Sequence, residues 1–280
     1  MLMAVVMFSL MDAGLKWLSP HYPAIQITAM RAIASLPFVV VYILLRGSAR
    51  SLFKIRWPLH LLRGALGIAM LALFTYGLKT LPLSEAYSLF FIAPLLISIL
   101  SIPLLNEKVG LARWLAIFVG LIGVLIVLRP DTENLVSFGS LAILVAAACY
   151  SVSAIAVRVI GRTDSSDSMV FWAMTMIAIG AGAYAAPNWL AVEQKHFLVL
   201  AGIGITGFFG QLAITAAFQK AEASVVAPFE YSALAWGMGL DWLLWQTLPD
   251  SIALLGALVI IASGVYLIRK EKVHIESEHP

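Results

Sequence analysis

The chain has 280 residues, 61% of them apolar and only 12% charged, with 18 Lys and Arg against 15 Asp and Glu and a mean hydropathy of +0.95. Soluble domains run at roughly half apolar and a quarter charged, so this composition excludes a water-soluble globular protein and leaves no stretch polar enough for a soluble domain. Its single cysteine, Cys149, excludes a disulfide framework and a thiolate metal cluster.

In chain order, apolar runs of about 20 residues, the length that crosses a ~30 Å hydrocarbon layer, recur at 2–18, 22–45, 58–79, 82–105, 111–128, 138–160, 168–186, 196–219, 222–245 and 251–269. They predict an all-α membrane protein of ten transmembrane helices. The opening run from Met1 to Phe8 lacks a basic leader and a small-residue cleavage site, and is kept as part of the first helix.

With the N-terminus inside, the cytoplasmic side receives Arg46, Arg50, Lys54, Arg56, Arg63, Lys108, Arg113, Arg158, Arg162, Lys220, Arg269, Lys270 and Lys272. The opposite side receives Lys16, Lys79, Arg129 and Lys195. The positive-inside rule therefore predicts that both termini are cytoplasmic. The basic excess is then topological and no nucleic-acid partner is implied; the partners expected are the lipid bilayer and a small-molecule substrate.

Sliding the sequence on itself by 140 residues pairs Gly67 with Gly207, Thr75 with Thr215, Ser84 with Ser224, Ala93 with Ala233 and Leu104 with Leu244. Helix lengths and loop positions coincide as well. The expected organisation is a five-helix unit over 1–130, a second over 138–270 and a tail over 271–280. An odd number of helices per unit makes this a 5+5 inverted repeat, an architecture used by secondary transporters.

A charge at membrane depth is costly unless it meets a cavity or a partner, so Asp12, Arg31, Glu85 and Glu230 are the first functional candidates. Under the shift their counterparts are Val152, Phe171, Val225 and Phe90, all apolar, so packing of the repeated scaffold does not demand the charges. Asp12 either pairs with Lys16 one turn on or faces a partner elsewhere, and Glu85 either caps the fourth helix or joins it. Arg31 has Ile27, Thr28, Ala34 and Ser35 around it on its own helix and needs an anion, either Asp12 or a substrate carboxylate.

Glu230 shares a stripe with Ala223, Ala227, Ala233 and Gly237, and Gln211 one with Gly204, Gly207 and Thr215. At 1.5 Å per residue both lie about 12 Å from the cytoplasmic side, so Glu230 either hydrogen-bonds Gln211 as a structural tie or couples transport to protons. Tyr87, Ser88, Tyr150, Ser153, Tyr231 and Trp236 add hydroxyl and aromatic surface suited to an amphipathic organic ligand. Pro94 and Pro228 remove backbone hydrogen bonds within spans and are hinge candidates. Gly120 and Gly123, with Gly256 and Gly264, suit close packing within the chain or a homodimer through helices five and ten.

Residues 202–207 match GxGxxG but lie inside an apolar helix with no preceding strand, so no dinucleotide is implied. No Walker lysine loop occurs, and the five histidines lie in loops or the tail without metal-ligand spacing, so no cofactor and no metal are expected. No catalytic cluster is found, so an enzyme is not expected; a membrane-embedded enzyme or a lipid scramblase is the competing class. Glu107 reads as the acidic complement of the fifth helix's N-terminus.

The stretch Tyr76-Gly77-Leu78-Lys79-Thr80-Leu81-Pro82-Leu83-Ser84-Glu85-Ala86, followed by Ala93-Pro94, Leu104-Leu105-Asn106-Glu107-Lys108 and Gly120-Leu121-Ile122-Gly123-Val124, resembles the drug/metabolite transporter superfamily and its ten-helix EamA-type carriers. The likeness spans the chain, with a weaker copy from Ala217 to Ser224; Trp245-Gln246-Thr247 stands where the family carries an acidic residue. The resemblance implies a multi-pass protein of a bacterial inner membrane. Its cavity would be lined by helices one, three, four, six, eight and nine, with five and ten at the periphery and Arg31 at the border at most. It also implies export of an amino acid or related metabolite by alternating access, or alternatively uptake of a compound such as riboflavin or S-adenosylmethionine.

Overall fold

In the computed structural model of the chain, the residues described are 1–53, 55–81, 83–107, 110–128 and 137–246, with 251–252, 254–256, 258–259, 262–263 and 266 beyond them. Every regular element among the described residues is helical. The helices are α1 (Leu2–Leu18), α2 (Ala24–Arg46), α3 (Trp57–Leu78), α4 (Leu83–Phe90), α5 (Ile92–Leu105), α6 (Leu111–Leu128), α7 (Phe138–Ile160), α8 (Ser166–Ala185), α9 (Phe197–Lys220), α10 (Ala223–Val226) and α11 (Ala233–Trp245). Five of them have at least 20 residues and enough apolar character to cross a membrane.

The fourth and ninth predicted spans are not continuous helices. The fourth breaks at Phe91 between α4 and α5, and the ninth passes from α10 through a 3-10 segment, Ala227–Ser232, into α11. Phe91 and Tyr231 are aligned by the 140-residue shift, and so are the left-handed residues that end α5 and α11, Asn106 and Gln246, both at φ 56°. A left-handed residue turns the chain out of a helix while its N–H still reaches a last-turn carbonyl.

The two hinge candidates stand where these breaks resume. Pro94 lies in the first turn of α5, where a backbone N–H has no intrahelical acceptor, so the ring removes no hydrogen bond there. Pro228 opens the 3-10 segment. Pro37 and Pro103 are the prolines inside helices, in α2 and α5.

The broadest helix contacts join α2 to α8, α3 to α7 and α1 to α9. Gly204 and Gly207, expected on a stripe of small residues that admits a neighbouring helix, let α9 approach α2. A Cβ at Gly204 would stand 2.5 Å from the Ala34 carbonyl oxygen, and one at Gly207 3.0 Å from Ser35 Oγ. The 202–207 motif is helix packing within α9, as its setting required. Gly120 is likewise filled within the chain, since a Cβ there would stand 2.7 Å from the Tyr231 ring, and Ser263 Oγ donates to the Ala116 carbonyl at 2.6 Å.

A core of Leu15, Leu18, Tyr22, Ile27, Leu78, Leu81 and Leu83 closes the Leu18 end of α1. Over it the 186–196 segment is fastened by Gln26, which exchanges two hydrogen bonds with the Leu190 backbone, and by a 2.6 Å bond between Tyr22 Oη and His196 Nδ1. At the other end His60, expected in a loop, lies in α3 and bonds Asp164 Oδ2 at 2.9 Å. Burial pushes the Asp164 carboxyl up, but donors from Thr163, the Arg56 amide and His60 outweigh it and hold it below the ordinary carboxylate value.

Candidate functional site

A cavity of about 160 Å³ opens among α1, α3, α4, α7, α8, α9 and the 3-10 segment, and one residue of α2 reaches it. At roughly 10–15 Å³ per water-sized sphere it has room for about 11–16 waters, the scale of a small metabolite. It runs from Asp12 to Met1, which along α1 is about 16 Å. Phe8, Phe74, Phe90, Phe91, Met70 and Met174 give it a largely aromatic and aliphatic wall.

Into that wall project four charged groups, all nearly buried: Asp12, Arg31, Arg63 and Glu230. Asp12 sits two-thirds along α1, where its Oδ2 accepts from Tyr87 Oη of α4 at 2.9 Å. The one-turn pairing with Lys16 does not form, because Asp12 and Lys16 project from α1 to different neighbours. Lys16 Nζ instead meets Asp241 Oδ1 of α11 at 3.0 Å and lies 4.2 Å from the Trp245 ring centroid. Asp241 is a further buried charge at membrane depth that the sequence reading passed over.

Arg31 lines the cavity rather than bordering it. Its Nε donates to Met11 Sδ at 2.8 Å, its guanidinium lies 5.9 Å from the Phe8 ring, and Asp12 is near enough for the two charges to attract. Of the alternatives open for Arg31, the structure thus supplies Asp12 as an electrostatic neighbour without a direct ion pair.

Glu230 Oε1 accepts from Tyr150 Oη at 2.7 Å, while Gln211 Nε2 donates to Thr215 Oγ1 one turn along α9. Of the two roles open for Glu230, the structural tie to Gln211 is not formed although both line the cavity; its carboxyl is held by Tyr150 of α7 instead. One tyrosine–carboxylate bond thus joins α1 to α4 and another joins α7 to the 3-10 segment, with the roles exchanged. Asp12 is on α1 with its tyrosine on α4, whereas Tyr150 is on α7 with its carboxylate in the 3-10 segment.

Ser153 also lines the cavity. Tyr231 and Trp236 do not: Tyr231 is packed against α6, 3.5 Å from the Ile117 carbonyl, and Trp236 is exposed on the outer surface of α11. The side chains of Glu85 and Ser88 lie outside the described residues, as do those of Arg50, Lys54, Lys108, Arg113 and Pro228. Glu107, assigned to the start of α6, accepts at 3.0 Å from the Ala223 N–H that opens α10 and lies 3.6 Å from Arg158 Nε.

Sequence reasoning missed Arg63, which it counted among cytoplasmic basic residues. It lies inside α3, lines the cavity, and donates through Nη1 to the Met169 carbonyl at 2.8 Å and through Nη2 to Thr215 Oγ1 at 3.4 Å. Its place six residues into an apolar run was the signal available. The cavity also meets α8 through Ala173, Met174 and Ile177, a helix the expected lining omitted. Among the described residues no group of three or more His, Cys, Asp or Glu is placed to hold a metal ion.

A model of the EamA-like transporter family matches residues 1–129 and 137–269. A pseudopaline exporter of Pseudomonas aeruginosa is 25% identical over 95% of this chain and 93% of its own length. An S-adenosylmethionine uptake transporter of Rickettsia prowazekii is 27% identical over 99% and 94%, and a riboflavin transporter of Vibrio cholerae 28% over 97% and 92%. A solved crystal structure, 19% identical and covering 95% of this chain and 96% of that one, shares the fold with a TM-score of 0.76.

Proposed function

The chain belongs to the EamA-like transporter family, and from that premise we propose that this multi-pass cell-membrane protein is a secondary carrier that moves a small amphipathic organic metabolite by alternating access. The observation that carries the reading is the cavity itself, an aromatic chamber of metabolite size whose polar groups are Asp12, Arg31, Arg63 and Glu230 with Tyr87, Tyr150, Ser153, Gln211 and Thr215. Sites of this kind use apolar area for affinity and a few placed polar groups for orientation.

Ten spans in two inverted halves remain the organisation we favour, supported by the broken helices and the left-handed helix ends recurring 140 residues apart. The cavity reaches the Met1 end of α1, which the basic residues assign to the cytoplasm. Loading from inside favours export. The two tyrosine–carboxylate bonds are the groups whose breaking would accompany substrate entry, and Glu230 is the coupling carboxyl if flux is proton-driven.

A second reading, uptake of an organic cation, is favoured by two carboxyl groups in one aromatic cavity and by the S-adenosylmethionine transporters among the relatives. Purified protein in liposomes separates the two by counterflow of a metabolite panel in both orientations. Saturable flux of one solute that is lost in Asp12→Asn or Glu230→Gln supports a carrier, whereas lipid flipping or product formation without solute flux refutes it. Unchanged pH dependence in Glu230→Gln would remove the proton-coupling role.

A further inference from the structure

We propose that Arg63 is the anion anchor of the cavity and that the transported solute presents a carboxylate to it; this rests on the carrier reading. Arg63 is only 5% exposed, and its guanidinium meets two neutral acceptors, the Met169 carbonyl and Thr215 Oγ1, with no carboxylate within ion-pairing distance among the described residues. A guanidinium offers five N–H donors and stays charged in proteins, so three donors and a full positive charge are left for whatever fills the cavity. An unpaired buried charge is costly, and a pathway facing a charged solute is the setting in which a membrane protein retains one.

Arg63 differs in this from the other cavity cation. Arg31 has Asp12 close enough to attract it, and Asp12 in turn holds Tyr87. Glu230, bonded to Tyr150, has no basic side chain within 4 Å among the described residues. The cavity therefore holds an anion-seeking group and a cation-accepting group that do not neutralise each other. A solute with an apolar body and a carboxylate fits this lining, its carboxylate on Arg63 and its body against Phe74 and Phe90, and an ammonium on the same solute would have Glu230 as its acceptor. The guanidinium fork accepts carboxylate and phosphate alike, but the single charge of a carboxylate is balanced by Arg63 alone whereas a phosphate monoester carries roughly −1.5 to −2.

The test uses matched probes that differ only at the acid. The full-length protein in nanodiscs is titrated with L-phenylalanine, L-tryptophan and L-methionine and with their primary amides, and binding is read from the melting shift. At least one acid is expected to bind tenfold or more tightly than its amide. Arg63→Gln should erase that ratio while leaving amide binding in place, and Arg63→Lys should retain part of it.

A purely structural Arg63, tying α3 to α8 and α9, would weaken acid and amide alike, and that result overturns the proposal. So does a wild-type protein in which no acid outbinds its amide, or one in which phenyl phosphate outbinds every acid and loses its advantage in Arg63→Gln. If Arg63→Gln does not fold, the wild-type ratio and Arg63→Lys decide. Flux measured in liposomes is a separate readout: no flux of any solute ends the carrier reading whether or not the acid preference survives.

Discussion

At the level of single residues, the partners of the buried charges follow from helix azimuth rather than from sequence neighbours. Lys16 is one turn from Asp12, yet its ammonium is taken by Asp241 and Trp245 on another helix. Removing Asp241 takes this partner from a partly buried ammonium, which costs at most the ~3–5 kcal/mol of a fully buried pair. Asp241→Asn is therefore expected to lower the melting temperature of the purified protein, and Lys16→Met to add little on top of it; additive losses in the double variant would show that the pair is not coupled. The Asp164 carboxyl, held low by its donors, supports the fold above its unfolded value of 3.8 and loses that contribution as pH falls through the lower folded value. Asp164→Asn should flatten the stability change that wild type shows in that acid window, read by thermal unfolding across pH.

Between elements, close approach depends on which glycine faces a neighbour. Gly204 stands against the backbone of α2, whereas Gly202, half a turn away, has nothing within 4 Å of an added Cβ. Gly204→Ala should cost about 1–3 kcal/mol by forcing α9 from α2, while Gly202→Ala should be neutral or gain up to about 1 kcal/mol of helix propensity. Reversal of that order in unfolding measurements would contradict the α2–α9 packing. Pattern and length announced these helices, but both glycines sit in one GxGxxG string, and only the position of α2 tells them apart. The breaks at Phe91 and 227–232 were marked in the sequence by Pro94 and Pro228 alone, because an apolar run scores as one span whether or not it bends.

For the molecule as a whole, alternating access requires the cavity to change sides. With Cys149 replaced by Ser, a single cysteine at Ser153 should react with a membrane-impermeant maleimide from the Met1 side, and bound solute should protect it. Labelling from the opposite side alone would invert the assignment of the cytoplasmic face. The sequence by itself determined that the chain lives in a membrane, where most of its apolar helices run, and that Asp12, Arg31 and Glu230 need a reason to be there, since hydropathy and the cost of a charge in hydrocarbon are local quantities. Which charge meets which partner, which glycine is a contact, that Tyr231 packs away from the cavity and that Arg63 lines it were decided by tertiary structure alone. Those outcomes depend on the rotation of each helix about its own axis relative to all its neighbours, and in a chain apolar on nearly every face no periodicity records that angle.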